Sequence, residues 1–233
     1  MSFSQFTSYW FHAILKNDIL RKHCKSHEEH KMINTVIFDI GNVLVYFRWR
    51  ELYADLGFTG EKFERIADAT VRNPWWEEFD KGLMSTQEVI DRFAESAPEY
   101  KKEITEIYDH MGELVSLYDY AIPWIKELKS KGYKVYILSN WSKPAYDDNL
   151  ETNLRFLSEV DGALMSFREG VIKPSREIYE LICSRYEIDP SKAVFLDDNA
   201  ANVQGARDFG LHAIHFKTYE QAKEELNKYL EEK

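Results

Sequence analysis

Strand-length apolar runs recur along the second half of the chain, in "KVYILSN", "GALMSF", "AVFLDDN" and "HAIHF", and another, Ile33 to Phe38, stands near the start. Each later run is separated from the next by enough residues for a helix, and this alternation constrains the fold more than any other feature. Repetition of strand and helix implies a parallel sheet with helices on both faces, an α/β class. The punctuation agrees. "PWIKELKSKG" opens with Pro123, suited to a first helical turn, and stops at Gly132 directly before "KVYIL". "AANVQGARDFG" reads as a helix ended by Gly210 ahead of "LHAIHF". From about Arg50 to Leu117, by contrast, no buried strand is expected; helical patterns dominate, as in "EKFERIADATV", "STQEVIDRFAESA" and "KKEITEIYDHMGELV".

In sheets of this kind ligands bind beyond the carboxyl ends of the strands, and the polar residues of this chain stand there. The first strand ends in Asp39 within "TVIFDIGNVLVYF", an acid with no basic neighbour in sequence. A buried charge is costly unless paired or bound to a cation, so the position calls for a partner from elsewhere. Ser139 and Asn140 close the second run, Asp197 and Asp198 the run around Val194, and Lys173 precedes Pro174 soon after "GALMSF". Carboxylates converging at one edge repel unless a cation sits among them, and hard oxygen ligands with an incomplete shell suit Mg²⁺ shared with a phosphate. Ser139, Asn140 and Lys173 would then hold phosphoryl oxygens, Lys173 as a point charge and the other two as neutral donors. The combination points to carboxylate attack on phosphorus, giving an aspartyl-phosphate that water hydrolyses.

"FDIGNVL", "LSN", "KP" and "FLDDNAANVQGARDFG", in that order over nearly all of residues 32–217, resemble the four motifs of the haloacid dehalogenase (HAD) superfamily. The chain is most similar to subfamily I phosphatases with a small helical cap between the first two motifs, in particular the bacterial α-glucose-1-phosphate phosphatase branch. The resemblance implies a Rossmann-like core from residues 32–48 and 119–233 and an all-helical cap inserted over 49–118. It also implies Asp39 as nucleophile, with Ser139 and Asn140 binding phosphate and Lys173 both binding phosphate and offsetting the nucleophile's charge. Mg²⁺ would be held by Asp39, the Gly41 backbone carbonyl and Asp198, with Asp197 nearby or bound through water.

One position departs from the superfamily pattern. Most of its phosphatases carry a second aspartate two residues after the nucleophile, which protonates the leaving group and later activates water; here that residue is Gly41. General acid–base assistance is worth about 10²–10⁴ in rate. The substrate could have a good leaving group, as in a sugar 1-phosphate; a cap residue or water could substitute; or the chain could bind phosphorylated ligands without turning them over. The first two are favoured together, because the glucose-1-phosphatase branch resembles the same "DIGN" form. A 2-haloacid dehalogenase and a phosphomutase are the enzymatic rivals, and the Asp197-Asp198 pair favours metal and phosphate over halide.

The expected partner is a small phosphorylated metabolite, met in the cytoplasm by a monomer or weak homodimer. With 30 basic against 40 acidic residues the net charge is −10, and no basic stripe is present to bind nucleic acid. No apolar run approaches the roughly 18 residues that span a bilayer, and "FTSYWFHAIL" lacks the basic flank of a signal peptide. Cys24 and Cys183 cannot make a disulfide framework. Residues 1–31 read as an extension of doubtful role, with Met32 as an alternative start; His23, Cys24, His27 and His30 have helix-compatible metal spacing, although a solvated helical face is the commoner meaning. Trp75, Trp76 and Phe79 read first as cap packing, with a site-facing tryptophan as the functional alternative. Arg48 and Arg72 read first as solvated, with a reach to phosphate as the alternative, and Asn42 and Asn199 as ligand-orienting or turn-closing.

Overall fold

The computed structural model describes residues 32–231. The readings made on residues 1–31, including the His23, Cys24, His27 and His30 set, lie outside the described residues. In chain order the first elements are strands β1 (Thr35–Phe38) and β2 (Val45–Phe47) and helices α1 (Trp49–Asp55), α2 (Gly60–Ala69), α3 (Trp75–Lys81), α4 (Thr86–Ser96) and α5 (Lys101–Tyr108). Then come β3 (Val115–Leu117), α6 (Ala121–Ser130), β4 (Lys134–Ser139), α7 (Lys143–Asn149), β5 (Gly162–Met165) and α8 (Ser166–Glu169). The chain continues through α9 (Arg176–Arg185), β6 (Ala193–Asp197), α10 (Ala200–Phe209), β7 (His212–His215) and α11 (Tyr219–Glu231).

Five of the strands pair in the order β5-β4-β1-β6-β7, every neighbour parallel. Each of the apolar runs singled out in the sequence supplies one of them. Successive strand residues face opposite ways, so Val36, Val135, Val194 and Ile214 join one core while Ile37, Tyr136, Phe195 and Ala213 join the other. Both faces are covered, which is why these strands read as continuous apolar runs and not as alternating ones. Trp124, Ile125 and Leu128 of α6 and Ala222 and Leu226 of α11 pack on the first face. Ile178, Tyr179 and Ile182 of α9, with Val203 and Ala206 of α10, pack on the second. Helix α6 starts at Ala121, two residues before the expected Pro123; a proline still fits there because first-turn N–H groups have no partner within the helix.

From β1 the chain moves outward through β4 to β5, then crosses back to β6 on the opposite side of β1 and on to β7. The order therefore reverses between β1 and β6, and their carboxyl ends border the crevice where ligands bind in such sheets. Asp39, Asp197 and Asp198 stand at those two ends.

Helices α1 to α5 occupy the stretch between β2 and β3. Their apolar faces share one core with the sheet, through Leu52, Tyr53, Ile66, Phe79, Phe93 and Ile104. Val115–Leu117, expected to be strand-free, is instead β3, paired antiparallel with β2. Three residues are too few to show a period, and the partner lies far away in sequence. Helix α4 opens with a reciprocal cap, in which Glu88 N–H donates to Ser85 Oγ at 3.3 Å and Ser85 N–H donates to Glu88 Oε2 at 2.8 Å. Helix α3 ends at Gly82 with φ +67°, where a Cβ would lie 2.5 Å from the carbonyl oxygen of Phe167 in α8. Only glycine permits that approach, and it seats the end of α3 on the core. Among the described residues no helix is long and apolar enough to cross a membrane.

Candidate active site

The ladder between β1 and β6 extends one step past the strand, with Asp39 N–H donating to Leu196 O at 2.9 Å. That bond fixes Asp39 at the sheet edge, where it is buried. Ser139, the last residue of β4, donates from Oγ to Asp39 Oδ1 at 2.6 Å. The Lys173 ammonium lies 2.8 Å from the same oxygen, 2.6 Å from Asp197 Oδ2 and 3.0 Å from Leu138 O. Its three protons are thereby matched to three acceptors, which is what keeps a lysine charged in the interior. Burial pulls the Lys173 ammonium down, but the attraction of Asp197 and Asp39 outweighs it and the net direction is up. Both contacts on Asp39 reach Oδ1, so Oδ2 has no hydrogen bond from any described residue.

Asp197 and Asp198 have different surroundings. Asp197 is fully buried, and its oxygens accept from Asn199 N–H at 2.7 Å, from Asn202 Nδ2 at 3.1 Å and from Lys173. Asp198 is half-buried, and its Oδ2 accepts from Asn42 Nδ2 at 2.9 Å. Asn42 is itself held at φ +53°, with its Oδ1 accepting the Phe47 N–H at 3.2 Å. One oxygen from each of Asp39, Asp197 and Asp198 lies within 4.8 Å of the others. Burial above all pushes the Asp39 carboxyl up to about 7; Lys173 opposes the shift, and Asp197 and Asp198 add to it. Burial also raises Asp198, against the Asn42 hydrogen bond. Crowded hard oxygens with an uncommitted atom on Asp39 fit a magnesium ion, which would relieve the repulsion.

Asn140 is engaged differently from the phosphate-binding expectation. Its Nδ2 donates to Lys173 O at 3.1 Å and its Oδ1 accepts the Lys173 N–H at 2.8 Å. Both ends of the amide thus hold the backbone of Lys173 in place. Asn199 caps α10, accepting from Ala201 N–H at 2.8 Å. Arg48 bonds Asp55 and the Glu113 carbonyl, and Arg72 bonds Glu64 and Asp68. Neither arginine lines the pocket beside the nucleophile.

That pocket, about 100 Å³ in volume, is walled by Gly41, Phe47, Trp76, Asp80, Asn140 and Trp141 among others. Trp76 serves both readings proposed for it, since it lines the pocket and stacks on Phe93 at 6.2 Å. Phe79 is buried packing, and Trp75 is exposed beneath Arg92. Asp80 is the residue that sequence reasoning passed over. Burial first, then the charge of Asp39, pushes its carboxyl up to about 8, with Lys173 opposing and Glu77 adding. Ser166 Oγ donates to Asp80 O at 2.6 Å and accepts the Trp141 N–H at 2.9 Å, joining α3 to the loop after β4. "WWEEFDKG" offers three acids, and only the helix ending at Gly82 indicates which one lies nearest the core.

The sheet order agrees with the class of hydrolase that the motifs suggest. A family model described as haloacid dehalogenase-like hydrolase matches residues 33–210, and the chain belongs to that family. It is 27% identical over 221 residues to acyl-CoA dehydrogenase family member 10 of Mus musculus, covering 88% of this chain and only 20% of that protein. It is 27% identical over 173 residues to (S)-2-haloacid dehalogenase 4A of Burkholderia cepacia, covering 71% of this chain and 66% of that one. Its fold is similar to that of a HAD family enzyme of Bacteroides thetaiotaomicron solved with magnesium and inorganic phosphate. That likeness has a TM-score of 0.62 at 20% identity, covering 82% of this chain and 98% of that chain.

Proposed function

We propose that the protein is a magnesium-dependent phosphatase of a small phosphorylated metabolite, with a sugar 1-phosphate as the leading substrate, working through an aspartyl-phosphate. The observation that carries the proposal is the meeting of Asp39, Asp197 and Asp198 within 4.8 Å, the first two paired with a buried lysine. Asp197 is engaged by Lys173 and would serve either reaction, so the discriminating acid is Asp198. A carboxylate that displaces halide gains nothing from a further acid open to a cation, whereas a phosphoryl dianion needs compensating positive charge.

Asp39, Asp198 and the Gly41 carbonyl would hold the magnesium ion, whose charge would lower the repulsion between nucleophile and phosphate. Asp197 acts mainly by fixing Lys173, given how fully its oxygens are engaged. Lys173 and Ser139, both bonded to one oxygen of Asp39, orient the carboxylate, and the Lys173 charge offsets that of an approaching phosphoryl group. Asp39 then attacks phosphorus, and water hydrolyses the resulting acyl phosphate. Residues 49–118 act as the cap on a core of 32–48 and 119–233, keeping bulk water from the first half-reaction. Phe47, Trp76 and Trp141 offer flat apolar walls to a ring, and the anomeric oxygen of a sugar 1-phosphate is a good leaving group.

Turnover of an aryl phosphate with Mg²⁺, with and without EDTA, tests this reading against dehalogenation. Chelation should abolish phosphate release, and Asp39→Asn should do the same. Halide release from a 2-haloacid that survives chelation, with no phosphatase activity, would overturn it.

A further inference from the structure

Gly41 leaves the expected acid/base position without a side chain, and a Cβ built there would meet no atom within 4 Å. Among the residues lining the same pocket stands one carboxylate, Asp80. It makes no hydrogen bond or ion pair through its side chain with any described residue, whereas nearby Glu78 is paired with Lys81 at 2.6 Å. It also lies outside the group of acids that could share a metal. Yet its backbone is held firmly against the core. Ser166 Oγ bonds its carbonyl, and two residues on, Gly82 sits against Phe167. An acid with no hydrogen-bond or ion-pair partner among the described residues, clamped in the pocket that Gly41 also lines, is placed for proton transfer.

We propose that Asp80 is the general acid/base of this site, supplied by the helical insert in place of the aspartate missing at Gly41. The proposal rests on the phosphatase reading above. In the first step an Asp39 oxygen bonds to phosphorus, the bond from phosphorus to the leaving oxygen breaks, and that oxygen takes the Asp80 proton to leave as an alcohol. In the second, the Asp80 carboxylate takes a proton from water as the water oxygen attacks phosphorus. The bond to Asp39 then breaks, releasing phosphate and restoring both residues. A carboxyl held up to about 8 carries its proton at neutral pH, as the first step requires. The charged and titratable groups that bear on it are Asp39, Lys173 and Glu77, with the buried hydroxyl of Tyr108 also within reach of its field.

The test compares an alkyl phosphate with an aryl phosphate, both with Mg²⁺, in the wild type, Asp80→Asn, Asp80→Glu and the double variant Gly41→Asp/Asp80→Asn. Asp80→Asn should lower kcat/KM for the alkyl ester about 10²–10⁴-fold, the usual worth of general acid–base help. The first-turnover burst of aryl alcohol should survive, because that leaving group needs no proton, and steady turnover should then stall at the acyl phosphate. Glutamate should preserve much of the alkyl activity, and Gly41→Asp should restore part of what asparagine removes. Equal losses of kcat/KM on both esters, a vanished burst, or full activity in Asp80→Asn would overturn the assignment while leaving the phosphatase reading intact. A wild type that cleaves neither ester would defeat that reading and this assignment together.

Discussion

Replacing Lys173 with methionine tests how the site is held together. The side chain is 1% exposed, and the carboxylates it neutralises are 10% and 0% exposed for Asp39 and Asp197, at 2.8 and 2.6 Å. Methionine nearly matches the shape and keeps the apolar stem, so the change isolates the charge. Removing one partner of a buried pair leaves uncompensated charge and typically costs about 3–5 kcal/mol. A chain of this size shifts its Tm by roughly 2–4 °C per kcal/mol, so the loss should be about 6–20 °C. Lys126, paired with Glu159 at 3.0 Å with side chains 58% and 33% exposed, provides the contrast. Its methionine variant should change stability by no more than about 1 kcal/mol, as screened surface pairs do. Thermal and urea unfolding in EDTA supply both numbers. Adding Asp197→Asn to Lys173→Met should recover part of the loss, because Asn199 and Asn202 still have an oxygen to donate to and one buried charge is gone. Magnesium should recover part as well. A Lys173→Met loss below about 1 kcal/mol, or a double variant that simply sums the two singles, would show that the cluster is not an interdependent charge network.

Other outcomes can be checked with the same measurements. Gly82→Ala places a Cβ 2.5 Å from Phe167 O at φ +67°, so it should cost at least about 1 kcal/mol and raise KM by unseating the end of α3. A lowered Tm with KM unchanged would separate that contact from the site. Ser85→Ala should cost about 1 kcal/mol through loss of the α4 cap, with kcat/KM unaltered; a change in kcat/KM would tie α4 to catalysis. Asp80 has a folded pKa near 8, raised above its unfolded value, so the native state holds its proton longer and the stability this contributes is lost as pH rises toward 8. Asp80→Asn should therefore gain stability over the wild type between about pH 4 and 8, with a constant gap above; a gap that does not vary with pH would refute the shift.

The sequence alone determined the sheet, because each strand announces itself through local physics. "VIF", "VYIL" and "AVFL" are unbroken apolar runs, and helix-ending glycines such as Gly132 and Gly210 mark where one element stops and the next begins. The acids at the ends of β1 and β6 are legible for the same reason, since a charge after a buried run has little other use. Partner choice was not legible, because a hydrogen bond depends on which distant backbone comes within about 3 Å, and adjacent residues do not encode that. Only the tertiary structure turned Asn140 toward the Lys173 backbone, gave Asp197 to Lys173 and Asn202 while leaving Asp198 to Asn42, and paired β2 with β3. It also separated Asp80 from Glu77 and Glu78. All three are acids on one short helix, and only packing against Ser166 and Phe167 brings one of them to the pocket.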